Sequence, residues 1–177
     1  MACEYCELIK GKTSAEILYA DEDLIVAVRE TGLVPGQITI IPKEHFTILE
    51  MVPDEILKKC ITIANKVGIV IFEKLGCQGT NILVQNGLGG GQKVPHFSLE
   101  VLPRREGDNL NLSWKPQQLM EEEMETTFLT LKEEGEKVVN VGKSSSKKVF
   151  PVAEKAEKIV KEEGKENYLL KSLKRIP

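Results

Sequence analysis

His96-Phe97-Ser98-Leu99-Glu100-Val101-Leu102-Pro103-Arg104 is the stretch that decides the fold. Side chains alternate between faces along a β-strand. Over residues 96–102 one face then carries Phe97, Leu99 and Val101, and the other carries His96, Ser98 and Glu100. The apolar set belongs against a core. The polar set lines up an imidazole, a hydroxyl and a carboxylate, roughly 6.5–7 Å apart at the rise of a strand. Pro103 closes the expected strand.

Upstream lies Asn86-Gly87-Leu88-Gly89-Gly90-Gly91-Gln92, a glycine-rich loop. Glycines let backbone N–H groups approach an anion closely. No Lys-Ser/Thr pair follows as a P-loop requires. The loop alone therefore reads either as a phosphate cradle or as a plain connection. Before it, residues 80–85 read as a strand. Residues 53–75 read as a long helix opened by Pro53-Asp54-Glu55 and stopped by Gly76. Leu57, Ile61, Ala64, Gly68, Ile71 and Leu75 form its apolar stripe, flanked by Cys60 and Val67. Cys60 reads as a small core residue.

Three further strands precede the helix: 15–20, 24–29 across the turn Asp21-Glu22-Asp23, and 37–41. In the last, Ile38 and Ile40 alternate with Gln37 and Thr39 before Pro42. Five strands and one long helix, without βα alternation, make an α+β fold with an antiparallel five-stranded sheet. Past Arg105 the texture changes. A charged helix is expected over 121–138 with Met120, Met124, Phe128 and Leu131 at helical spacing. A linker is expected over 141–148 and an amphipathic helix over 152–163. The chain is thus read as a domain over 1–116 and a C-terminal helical extension over 117–177.

Composition removes several function classes. A net charge of −3 argues against nucleic acid as the principal partner, which leaves only a local role for Arg104, Arg105, Lys143, Lys147, Lys148, Lys171 and Lys174. No apolar run reaches the ~20 residues that span a bilayer, and the N-terminus lacks the pattern of a secretory signal. A cytoplasmic location is the expectation, with the four cysteines as thiols or metal ligands. Cys3-x-x-Cys6 has spacing that suits zinc or redox chemistry. A redox pair normally sits between a strand and a helix N-terminus, whereas this one precedes every predicted element.

Residues 90–104, Gly-Gly-Gln-Lys-Val-Pro-His-Phe-Ser-Leu-Glu-Val-Leu-Pro-Arg, resemble the signature of the histidine triad (HIT) superfamily. There, three histidines alternate with apolar residues between a Gly-Gln and a Pro-Arg. The opening Cys3-Glu-Tyr-Cys6-Glu-Leu-Ile-Lys-Gly-Lys is similar to the start of many microbial members. Val34-Pro35-Gly36, Ile40-Ile41-Pro42-Lys43-Glu44-His45 and Leu112-Ser113-Trp114-Lys115-Pro116 match in order, so the resemblance covers roughly residues 3–116.

The resemblance implies a HIT-like fold, a homodimer and a nucleotide ligand. It also exposes departures. The middle histidine, which attacks the α-phosphate in the family, is Ser98 here, and the third is Glu100. No catalytic histidine is intact; only His96, the first, remains. Imidazole is a strong neutral nucleophile, whereas a serine hydroxyl needs a neighbouring base. Asn86, Gly91, Gln92 and Ser98 match positions that line the family's nucleotide pocket. The acidic residue that holds the ribose is replaced by Arg29, unless a one-residue shift restores it as Glu30. Zinc-containing relatives use ligands that match Cys3, Cys6, His45 and His96, which account for both histidines of the chain. Four N and S ligands describe a closed structural zinc site. The resemblance therefore implies a zinc-stabilised nucleotide-binding module without nucleotidyl hydrolase activity. The alternative is a phosphoramidate or dinucleotide hydrolase, or a nucleotidyltransferase, rebuilt on Ser98 with Glu100 as its base.

Overall fold

A computed structural model describes residues 3–113 and 115–141 of the 177-residue chain. The expected linker from residue 142 onward, the helix at 152–163 and the lysines from Lys143 to Lys174 lie outside the described residues. The chain divides into two compact units, Met1–Asn111 and Leu112–Pro177.

The first unit is built on α1 (Glu4–Ile9), β1 (Ala15–Ala20), β2 (Leu24–Arg29), β3 (Ile38–Pro42), α2 (Asp54–Leu75), β4 (Gly79–Leu83) and β5 (Leu99–Arg104). The five strands form one sheet in the order β1-β2-β3-β5-β4, with every neighbouring pair antiparallel. The fold is α+β, as the strand and helix pattern predicts. The structure corrects the predicted strand at 96–102, because pairing begins only at Leu99. Before it, the Phe97 N–H donates to the Phe46 carbonyl at 2.6 Å instead of to a sheet neighbour. The strand then runs through Pro103, opposite Thr80. β3 pairs with β5 only from Leu99 to Val101, so on that side Pro103 faces no strand and its missing N–H breaks no bond.

One sheet face packs on α2. Its core gathers Leu24, Val26, Ile38 and Ile40 with Phe97, Leu99 and Val101, against Cys60, Ala64 and Ile71 of the helix. Fully buried leucines and isoleucines such as Leu24 and Ile40 each contribute about 1.5–3 kcal/mol. The buried stripe is narrower than the sequence predicts: Ile61 and Leu75 are exposed, at 49% and 43%. The helix meets β3, β5 and β4 along the face of Cys60, Ala64 and Ile71, from which Ile61 is turned away, while Leu75 is its last residue. Gly76 caps the helix in the left-handed conformation at φ 62°. The opposite sheet face carries α1, whose Tyr5 and Leu8 pack on Ile25, Ala27 and Ile41.

In the second unit α3 spans Glu121–Val141. Met120, Met124, Phe128 and Leu131 are all more than half exposed. Among the described residues no helix is long and apolar enough to cross a membrane.

Candidate metal centre and the polar face beside it

α1 does what six residues can. The Cys3 carbonyl accepts the Glu7 N–H at 3.0 Å, so Cys3 caps the helix and Cys6 sits one turn along on the same side. This corrects the placement of Cys3-x-x-Cys6 ahead of any element; a single turn is too short to show periodicity. His45 comes from the segment just after β3, and His96 from the residues leading into β5.

These four side chains converge. Their ligand atoms lie within 4.8 Å of one another. The Cys6 Sγ is 3.2 Å from His45 Nδ1 and 3.6 Å from His96 Nδ1, and the Cys3 Sγ is 3.5 Å from His96 Nδ1. A tetrahedral zinc ion, with metal–sulfur near 2.3 Å and metal–nitrogen near 2.0–2.1 Å, sets sulfur and nitrogen roughly 3.6 Å apart. The donor set fits such an ion. His96 is buried and its Nε2–H donates to the Pro42 carbonyl at 2.9 Å. That bond fixes the ring and leaves the Nδ1 lone pair for a metal. Burial also lowers the His96 pKa, favouring the neutral imidazole that ligation needs.

The redox reading loses ground on the same geometry. Burial, with Cys3 beside it, pushes the Cys6 thiol up, whereas a redox-active cysteine needs a depressed one.

Ser98 and Glu100 lie on the α1 side of the sheet. Ser98 Oγ donates to Glu100 Oε1 at 3.2 Å. Glu100 Oε2 accepts from Thr39 Oγ1 at 2.7 Å and from Gln37 Nε2 at 2.8 Å. The carboxylate is buried, and three donors meet it. Tyr5 lies beside this cluster, and its hydroxyl accepts from Arg29 at 3.1 Å. Arg29 also pairs with Glu4 and lies over the Tyr5 ring, 5.0 Å from its centroid. Glu30 is exposed and accepts the Ser14 hydroxyl at 2.6 Å. Arg29 and Glu30 both line a small pocket of about 270 Å³ with Gly32, Leu33 and Gln37.

The loop residues hold the loop together. The Asn86 amide accepts the Leu49 N–H and donates to both Glu50 carboxylate oxygens at 2.8 and 2.9 Å. Gln92 accepts the Gly87 N–H at 2.8 Å and donates to the Thr47 and Val94 carbonyls at 2.7 and 2.9 Å. Gly91 adopts φ 83°, and a Cβ there meets Gln85 Nε2 at 2.7 Å. Reading the sequence missed Tyr5, Glu50, Gln37 and Thr39. For Gln37 and Thr39 a signal existed, since both alternate with core isoleucines and so face the side that Glu100 faces.

The HIT domain family model matches residues 10–107. An uncharacterised HIT-like protein of Methanocaldococcus jannaschii is 32% identical over 106 residues, which are 60% of this chain and 81% of that protein. The adenylylsulfatase HINT3 of Arabidopsis thaliana is 30% identical over 61% of this chain and 55% of its own length. A zinc-bound histidine triad family protein from Mycobacterium smegmatis superposes with TM-score 0.59 at 29% identity, over 66% of this chain and 85% of that one. A histidine triad nucleotide-binding protein from Candida albicans does so with TM-score 0.67 at 25% identity, over 77% and 99%. With the family model spanning more than half its length, and the sheet and helix order in agreement, the chain belongs to the HIT family.

Proposed function

We propose that this protein is a zinc-stabilised HIT module that binds a nucleotide and does not hydrolyse it. The observation that carries the reading is the division of labour along 96–100. His96 turns its Nδ1 to the two thiols, while Ser98 and Glu100 close a hydrogen-bonded cluster with Thr39 and Gln37. A nucleotidyl intermediate needs a nucleophile with a free lone pair and a base to activate it. A hydroxyl is a weaker nucleophile than an imidazole, and the carboxylate beside Ser98 is held by Thr39 and Gln37 rather than free.

Zinc is supported by the Cys3–Cys6–His45–His96 geometry and by the zinc-bound mycobacterial relative. The nucleotide is supported by the Candida relative named for nucleotide binding, with Asn86, Gly91, Gln92 and Ser98 as lining residues. A reduced, cytoplasmic setting keeps both cysteines as free thiols, which give up their protons when a metal binds. A homodimer is supported by the apolar side chains that α2 leaves exposed, Ile61, Ile69 and Val70.

The 3.2 Å contact from Ser98 to Glu100 favours one rival, a hydrolase with a rebuilt nucleophile. Ser98→His separates the two. Gain of phosphoramidate hydrolysis in a previously inactive protein supports the binding module. Loss of an activity already present in the native chain establishes the rebuilt enzyme.

A further inference from the structure

The single turn of α1 serves two places at once. Cys3 and Cys6 bring their sulfurs to the imidazoles of His45 and His96. Glu4 and Tyr5, which stand between them in sequence, reach Arg29 at the end of β2. Glu4 pairs with the guanidinium, and the Tyr5 hydroxyl accepts from it at 3.1 Å. Among the described residues, the hydrogen bonds and the ion pair of the Arg29 side chain all go to α1. The Tyr5 ring touches both places: it stands edge-on to His96 with centroids 5.8 Å apart, and the Arg29 guanidinium lies over it at 5.0 Å.

A helix of six residues does not persist by itself. α1 is held by Tyr5 and Leu8 on Ile25, Ala27 and Ile41, and the ligand cluster through Cys3 and Cys6 is its second anchor. Arg29 meanwhile lines the small pocket that Glu30 and Gln37 also line. A guanidinium keeps its charge at any ordinary pH, so its partners decide whether that charge is offset or available.

We propose that α1 is a metal-set clasp on Arg29. With both cysteines ligated, Glu4 and Tyr5 hold the guanidinium; when the metal leaves, the turn loosens and Arg29 is released at the pocket. The pocket then gains a cation suited to a phosphate or carboxylate group. The inference rests on the zinc reading and adds to it a consequence beyond stability.

Modification of the full chain by phenylglyoxal, an arginine-selective dicarbonyl, tests the clasp when each arginine is followed by peptide mass spectrometry. Zinc-loaded protein is compared with protein treated with chelator in the cold. Arg29 is expected to react slowly when loaded and at least about tenfold faster after chelation. Arg104 is the internal control, because Asp108, Asn81 and the Leu110 carbonyl hold it without any help from α1. Its rate is expected to stay low in both samples. Glu4→Gln with Tyr5→Phe removes both partners and leaves every metal ligand in place. That variant is expected to keep its zinc and still expose Arg29 as chelation does. A native chain that takes up no zinc overturns the metal reading and the clasp together. Zinc uptake with an Arg29 rate indifferent to chelation, or to the paired substitution, overturns the clasp alone. Arg104 accelerating in step with Arg29 means that the whole unit opens, and overturns it too.

Discussion

Thr39 stands directly opposite Glu100 across the β3–β5 ladder and gives its hydroxyl hydrogen to the carboxylate at 2.7 Å. Both are buried, and Gln37 and Ser98 bring the donors to three. Glu100 is thus the centre of a hydrogen-bonded network. Glu100→Ala is expected to strand the Thr39 hydroxyl and cost about 1–3 kcal/mol. Urea unfolding checks it, and the paired substitution Glu100→Ala with Thr39→Val should recover part of the loss.

The metal centre should dominate stability in the first unit. α1 is six residues long and closes the sheet face over Ile25, Ala27 and Ile41 through Tyr5 and Leu8, and the proposed ligation through Cys3 and Cys6 would tie it down further. Structural zinc contributes on the order of 10–16 kcal/mol in small peptides at neutral pH, most of it visible as folding. Chelation should therefore lower the unfolding midpoint sharply, and added zinc should restore it. Cys6→Ser and His45→Ala should each lose tight zinc, measured as metal content after dialysis.

Thiol reactivity should separate the cysteines into two pairs. Cys60 and Cys77 are buried, and burial pushes the Cys60 thiol up to about 11. A disulfide reagent should find no fast thiol in the zinc-loaded protein. After chelation it should find Cys3 and Cys6, while Cys60 and Cys77 stay silent until the protein unfolds. Early reaction of Cys60 in the loaded protein contradicts its place in the core.

Acid should act partly through Asp108. The Arg104 guanidinium beside it, with the Leu110 and Arg105 N–H groups, holds its carboxyl well below the usual carboxylate range. In the unfolded chain the same group titrates near its ordinary value of about 3.9. The unfolded state takes the proton first, so this contribution is complete above that value and is lost as pH falls through the folded one. Asp108→Asn should flatten that part of the acid limb. The check is the difference in unfolding free energy between native and variant across pH 2 to 6.

The sequence carries the architecture wherever hydrophobic periodicity is long enough. α2 and the strands β1, β2 and β3 follow from it to within a residue or two. α1 escapes because one turn has no period to read, so the cysteine pair is assigned its spacing but not its helix. The start of β5 escapes because His96 to Ser98 keep the alternation of a strand while the Phe97 N–H bonds elsewhere. The metal cluster is legible only through the family resemblance, since residues 3, 6, 45 and 96 come together by tertiary packing alone. The network on Glu100 depends on the β3–β5 register, which no local pattern fixes. Burial of α2 is likewise decided by where the helix crosses, which is why Ile61 is exposed despite its helical spacing.

Turnover by the native chain tests the central claim most directly. Purified full-length protein loaded with zinc is incubated with a panel of nucleoside phosphoramidates and dinucleoside polyphosphates, beside a heat-killed control and Ser98→Ala. The account predicts no turnover above the control in either sample. Turnover in the native protein that Ser98→Ala abolishes contradicts it, and makes this a HIT enzyme with serine as its nucleophile.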